Sequence, residues 1–216
     1  GYSLWPESIL RLLNVKYLIM PYDDFTYPGF KKVKSADMYY FGYDPRYDGK
    51  IIKSHIYLYE KFYQRFFFTK EIRKEDEDTI YNILVSDDFD PKEISYIDIN
   101  DFSDIDFKYE EDAIIKISSM SADNIHFQTK SSHTQFLVMS EIFYEDGWTL
   151  QDDDKNYKIY KVNNILRGAL IPPGEHNFKM TFKPNDVIIG KYLSLSIFIL
   201  ILVSIFIVKR KEYEKI

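Results

Sequence analysis

The strongest pattern in the chain is one uninterrupted apolar run, YLSLSIFILILVSIFIV from Tyr192 to Val208, with no charge and no helix breaker. As a helix this run spans about 26 Å, slightly short of a hydrocarbon core of about 30 Å. Val187, Ile188 and Ile189 extend it, Lys191 can reach back to the interface, and Tyr192 supplies an interfacial aromatic. Only Ser194, Ser196 and Ser204 interrupt the apolar surface, so the run lacks the polar face of a helix packed on a soluble core. A transmembrane helix is expected over residues 187–208, with a basic tail over 209–216.

Upstream, the periodicity changes to that of strands. Ile125, Phe127 and Thr129 alternate with His126, Gln128 and Lys130; Phe178, Met180 and Phe182 alternate with Lys179, Thr181 and Lys183. Further strands are expected at 15–20, 56–60, 66–69, 94–99, 113–119, 135–143, 157–162 and 165–171. The segment 21–50, rich in Tyr, Asp, Pro and Gly, reads as hairpins with long turns, Asp48-Gly49 among them. Helical spacing occurs twice. Ile9, Leu10 and Leu13 fall on one face of a short helix that Ser3 would cap. Ile80, Ile83 and Leu84 follow an acidic turn (Glu75, Asp76, Glu77, Asp78) suited to a helix N-terminus. The expected fold is therefore mainly β with a mixed α/β N-terminal part: a unit over 1–110, a β-sandwich over 111–186, then one C-terminal transmembrane helix.

Composition sharpens this picture. The 216 residues include 19 Tyr and 17 Phe, an aromatic richness that favours strands, and no cysteine, which excludes disulfides and thiolate chemistry. Residues 191–216 carry five basic and two acidic side chains, which leaves 23 basic and 32 acidic over residues 1–190, a net of −9. Such an acidic ectodomain argues against nucleic-acid binding. Lys209, Arg210 and Lys211 directly follow the apolar run, which by the charge rule puts them in the cytoplasm and residues 1–186 outside it. Export of those residues calls for upstream transmembrane helices, so the chain reads as the C-terminal portion of a polytopic protein. A tail-anchored cytosolic protein is the competing topology.

Candidate chemistry is sparse. Asp152-Asp153-Asp154 lacks the ligand spacing of a calcium loop, and His55, His126, His133 and His176 lack the pairing of a helical zinc site. No phosphate loop or catalytic triad order stands out, and neither a catalytic residue nor a cofactor is expected here. One cluster, Glu141, Tyr144, Gly147-Trp148, Asn164 and Arg167, combines aromatic faces with polar neighbours and could face a saccharide. The competing assignment packs Trp148 in the sandwich core and pairs Glu141 with Arg167.

Five blocks, LLNVKYLI (12–19), YEKFYQRFFFTKEI (59–72), DDFDPKE (87–93), QFLVMSEIFYEDGW (135–148) and VNNILRGALIPPGEHNFKMTFKP (162–184), together resemble the C-terminal region of the YfhO-type bacterial membrane proteins. These are polytopic proteins of the GT-C glycosyltransferase class. The chain departs from the family pattern at Gln64, Asp146 and Asp153-Asp154, all in expected turns. The resemblance implies sugar transfer from a polyprenyl-phosphate carrier to a cell-envelope polymer, such as lipoteichoic acid. It places the catalytic acid in an early outer loop and the carrier among upstream spans, both outside this chain. The partners implied are membrane lipid, the upstream helices and an envelope polysaccharide or teichoic acid, and metal dependence of the parent protein stays open. The alternative from another class is a non-catalytic envelope binding or scaffolding module.

Overall fold

A computed structural model of the chain describes residues 6–39, 46, 48–86, 88–101 and 103–213, with side chains 208–213 excepted. The elements begin with α1 (Glu7–Leu12), β1 (Tyr17–Met20), β2 (Phe30–Tyr39), β3 (Ile51–Tyr59), β4 (Phe66–Thr69) and β5 (Glu71–Glu75). They continue with α2 (Glu77–Leu84), β6 (Ile94–Asp98), β7 (Ile114–Met120), β8 (Asn124–Ser131), β9 (Gln135–Ile142) and β10 (Trp148–Asp152). The last are β11 (Lys155–Tyr157), β12 (Tyr160–Val162), β13 (Leu166–Ile171), β14 (Gly174–Phe182) and α3 (Asn185–Tyr213). The protein is mostly β, in three sheets, with a short N-terminal helix and one long apolar helix at the other end.

Two compact units result, and they interleave along the chain. The first takes residues 1–113, 131–143 and 160–173; the second takes 114–130, 144–159 and 174–216. One crossing, between Ala113 and Ile114, falls near the boundary expected at 110. Strands of the 111–186 segment thus divide between a five-stranded sheet (β11-β10-β14-β8-β7) and a six-stranded one (β4-β9-β13-β12-β6-β5). The single strand expected at 157–162 is in fact two, β11 and β12, which end in different sheets.

In the first unit, β5, α2 and β6 form a β-α-β crossover whose strands pair in parallel. Asp76 caps α2: one carboxylate oxygen accepts from the Thr79 backbone at 3.0 Å and the other from its hydroxyl at 2.6 Å. Those bonds hold the Asp76 carboxyl below its ordinary pKa. Ile80 and Leu84 bury against Phe67, Phe136, Val138 and Val162 of the six-stranded sheet, joined by Leu12 from α1. That helix starts at Glu7 behind Pro6, which offers no side-chain cap. Ser3, expected to supply one, lies outside the described residues.

A three-stranded sheet, β1-β3-β2, completes this unit. Its strand β2 runs for 10 residues and pairs antiparallel with β3 in the segment where hairpins were expected, though its own bounds were not. The reason is visible in its burial: both faces are largely exposed, so FKKVKSADMY carries little hydrophobic alternation. The expected Asp48-Gly49 turn is present, with Gly49 at a φ of 71°. Ring contacts organise the buried end of the sheet, Phe30 stacking on Tyr59 at 4.8 Å and Phe25 meeting Tyr57 edge-on at 4.9 Å.

The second unit alternates as expected over β8 and most of β14, except that Thr181, placed on the outward face, is buried. Ile125, Phe127, Phe178, Met180 and Leu150 are buried, while Gln128, Lys130 and Lys179 stand on the exposed face. Asp153 and Asp154 form the two-residue tip between β10 and β11, with Asp153 at a φ of 48°. From β14 the chain passes through Lys183 and Pro184 into α3. Residues Asn185–Ile207 of that helix are long and apolar enough to cross a membrane, and none of the stretch is buried.

Packing at the centre of the six-stranded sheet generates the first prediction. Gly168 lies opposite Tyr160, and a Cβ there would come within 2.5 Å of Val162 Cγ2 and 2.7 Å of Phe136 Cε1. Gly168→Ala should destabilise the protein by about 1–3 kcal/mol, the cost of overpacking, as read from thermal or urea melts.

Candidate functional site

The five residues singled out in the sequence divide between the two units. Glu141, Asn164 and Arg167 belong to the first; Tyr144 and Trp148 belong to the second. Glu141, at the end of β9, accepts from Arg65 Nε, so its ion-pair partner is Arg65. Arg167 lies nearby on β13, at 5% exposure. Burial pushes the Arg167 guanidinium below its ordinary pKa, and the charge of Glu141 pulls it partly back. Electrostatically the three form one group, in which Glu141 answers two cations. The ion pair expected between Glu141 and Arg167 is thus made by Arg65 instead, and Arg167 feels Glu141 only as a longer-range attraction.

Asn164 has a backbone task. With Asn163 it makes the tight turn from β12 to β13, the two residues at φ of 49° and 61°. Its amide donates to the Glu77 carbonyl at 2.8 Å, tying the turn to the first turn of α2. Its neighbour Asn163 is fully buried and accepts from the Tyr96 backbone at 2.8 Å. Asparagine suits both positions because it tolerates the left-handed region and hydrogen-bonds locally.

Tyr144 and Trp148 meet on Phe182. Tyr144 stands edge-on to that ring at 6.0 Å, and Trp148 lies tilted over it at 5.1 Å. Tyr144 is 56% exposed and Trp148 is half-buried, so Trp148 is not the core residue that one reading expected.

A groove that the sequence reading missed lies on the five-stranded sheet. It encloses about 240 Å³ between Lys116 of β7, Gln128 and Lys130 of β8, and Glu175 and Asn177 of β14. Gln128 Nε2 donates to Asn177 Oδ1 at 2.8 Å, and Lys130 pairs with Glu175 at 2.7 Å. At its edge, His176 Nδ1 lies 2.6 Å from an Asp152 oxygen, while the other oxygen accepts from the Asn177 backbone at 3.1 Å. The Lys130–Glu175 pair lowers the Glu175 pKa and raises that of Lys130. Amides and ammonium groups of this kind bind hydroxyls and anions. The signal was present in the outward positions of the alternating strands, but only their pairing puts Gln128 beside Asn177. Among the described residues, no three His, Asp or Glu side chains converge as a metal site.

The Glu141 group yields a stability prediction. Glu141→Gln strips the buried Arg167 of its compensating charge and should cost about 1–3 kcal/mol. Arg65→Ala removes only a half-exposed partner and should cost about 1 kcal/mol or less. Chemical denaturation of the two variants in parallel measures the difference.

Comparisons with known proteins come down to one match. Searches of curated proteins and of solved structures each gave none. Residues 107–194, which run from the approach to β7 through all of β14 and into the apolar helix, match the family described as bacterial membrane protein YfhO.

Proposed function

We propose that this chain is the C-terminal accessory ectodomain and last membrane span of a polytopic membrane glycosyltransferase, which moves a sugar from a polyprenyl-phosphate carrier to a cell-envelope polymer. The observation that carries the reading is the YfhO match over 107–194, continuous with the 23-residue stretch Asn185–Ile207 that is long and apolar enough to cross a membrane. In this reading residues 1–186 are extracytoplasmic and the tail is cytoplasmic, because Lys209, Arg210 and Lys211 follow the span. Donor and catalytic acid belong to upstream parts of the protein, and this chain holds the acceptor.

The groove between Lys116, Gln128 and Asn177 supports that last role. Its amides suit sugar hydroxyls, and its two lysines suit an anionic polymer such as a teichoic acid. The same groove favours a second reading, a non-catalytic module that binds or scaffolds envelope polymer, since it pairs polar groups without presenting an activated nucleophile.

Two experiments test the proposal. In intact cells, a cysteine at Asp153 should react with a membrane-impermeant reagent and one at Glu214 should not; the reverse pattern refutes the topology. In the full-length protein, Lys116→Ala combined with Gln128→Ala should lower sugar transfer about tenfold, the loss of two hydrogen-bonding side chains, with an unchanged melting temperature. Unaltered transfer removes the groove from acceptor binding. Polymer retention without any transfer by the full-length protein favours the scaffolding module.

A further inference from the structure

The aromatic group Tyr144, Trp148 and Phe182 lies at the point where the second unit joins its helix. Phe182 ends β14, and Lys183 and Pro184 alone separate it from Asn185, the first residue of α3. The Cα atoms of Phe182 and Asn185 are therefore at most about 10 Å apart. The loop that carries Tyr144 and Trp148 is fastened to this junction. Gly147 O accepts from Lys183 N at 2.6 Å. A Cβ at Gly147 would come within 2.9 Å of both Pro184 Cα and the Phe182 ring, and its φ of 100° suits glycine alone. The loop therefore cannot lift away without breaking the packing at the head of the helix.

The helix fixes the depth of that junction. The stretch from Val187 to Ile207, apolar but for Lys191, whose ammonium can reach back to the interface, rises about 30 Å, the thickness of the hydrocarbon core, which leaves Asn185 at the boundary. The headgroup layer beyond it is about 5–7 Å thick. Rings on Phe182, on its cross-strand partner Trp148 and on Tyr144 come within reach of that layer. Tyr and Trp suit it chemically, since each has an apolar body and one polar group for water or headgroup.

From this geometry we infer that Tyr144, Trp148 and Phe182 form a shelf that seats the second unit on the headgroup layer of the bilayer crossed by α3. The shelf rests on the reading of α3 as a membrane span. Its occupant is phospholipid at the level of headgroup and glycerol, and the exposed Glu145 and Asp146 hold the loop above the hydrocarbon. Those two carboxylates and Asp186 outnumber Lys183 and Lys191 around the junction, so zwitterionic lipid suffices. In the intact protein Tyr144 and Trp148 are then lipid contacts, and sugar contact falls to the groove further up the sheet.

The chain has no cysteine, so single ones can be placed cleanly. Glu145→Cys, Glu175→Cys and Leu200→Cys are spin-labelled in the full chain and reconstituted in phosphatidylcholine vesicles. Glu175 is about 23 Å along β14 from Phe182 and serves as the aqueous reference. Collision with a water-soluble nickel chelate should fall at 145 relative to 175, and the label at 200 should collide chiefly with oxygen. In a Trp5→Phe chain, Trp148 emission should shift to the blue in vesicles. Bromine near the headgroup end of the lipid chains should quench it more strongly than bromine at the chain centre. A label at 145 as open to nickel as that at 175, with Leu200 in lipid, overturns the shelf and leaves the span standing. Trp148 emission indifferent to brominated lipid overturns the shelf as well. A label at 200 open to nickel overturns the span, and the shelf with it.

Discussion

Strand β9 is the element on which the first unit depends, because it is buried along both faces. Gln135, Phe136, Leu137, Val138 and Met139 are all fully inaccessible. On one edge it pairs with β4 and on the other with β13, so each of its side chains has an assigned place and a one-residue slip would misplace all of them. Its polar side chains hold the ends and approaches of neighbouring elements. Ser140 donates to the Leu12 carbonyl at 2.8 Å, holding the end of α1. Gln135 donates to Lys108 O at 2.7 Å and accepts from Glu110 N at 3.0 Å, holding the approach to β7. Buried amides satisfied in this way fix position as well as stability.

How far the fold was legible follows from which signals are local. The apolar run, the alternation of β8 and β14 and the acidic start of α2 are local, and each appears near where the sequence indicated. Sheet membership is not local. The continuously buried β9 and β13 and the alternating β8 and β14 all read simply as strands, and nothing in the spacing of Val162 or Phe178 states which sheet receives it. The parallel pairing of β5 with β6 was hidden for the same reason. Strand β2 was hidden because neither face is buried enough to leave a pattern.

The candidate site was legible in its chemistry and not in its grouping. One reading paired Glu141 with Arg167, but the ion-pair partner of Glu141, Arg65, comes from 76 positions away in sequence, and Arg167 feels Glu141 only at longer range. Aromatic residues at 144 and 148 suit sugar platforms and membrane seating alike, because both uses ask for the same side chains. What separates those uses is depth relative to the helix, which needs the link between β14 and α3. The groove was overlooked because Gln, Asn and Lys on a strand read individually as solvent-facing residues. Their meaning lies in lateral pairing, as in Gln128 with Asn177.

The two-residue link at Lys183-Pro184 has a mechanical consequence. Proline fixes one backbone angle of the link, and the Lys183–Gly147 hydrogen bond braces it from the side. In the membrane reading proposed above, strand and helix therefore form one lever with its pivot at the bilayer surface. For a lever arm of about 25 Å, the length of β14, a helix tilt of about 20° carries the far end sideways by about 9 Å. Glu175 and Asn177 sit toward that far end, so in that reading the tilt of the helix sets where the polar groove stands above the membrane.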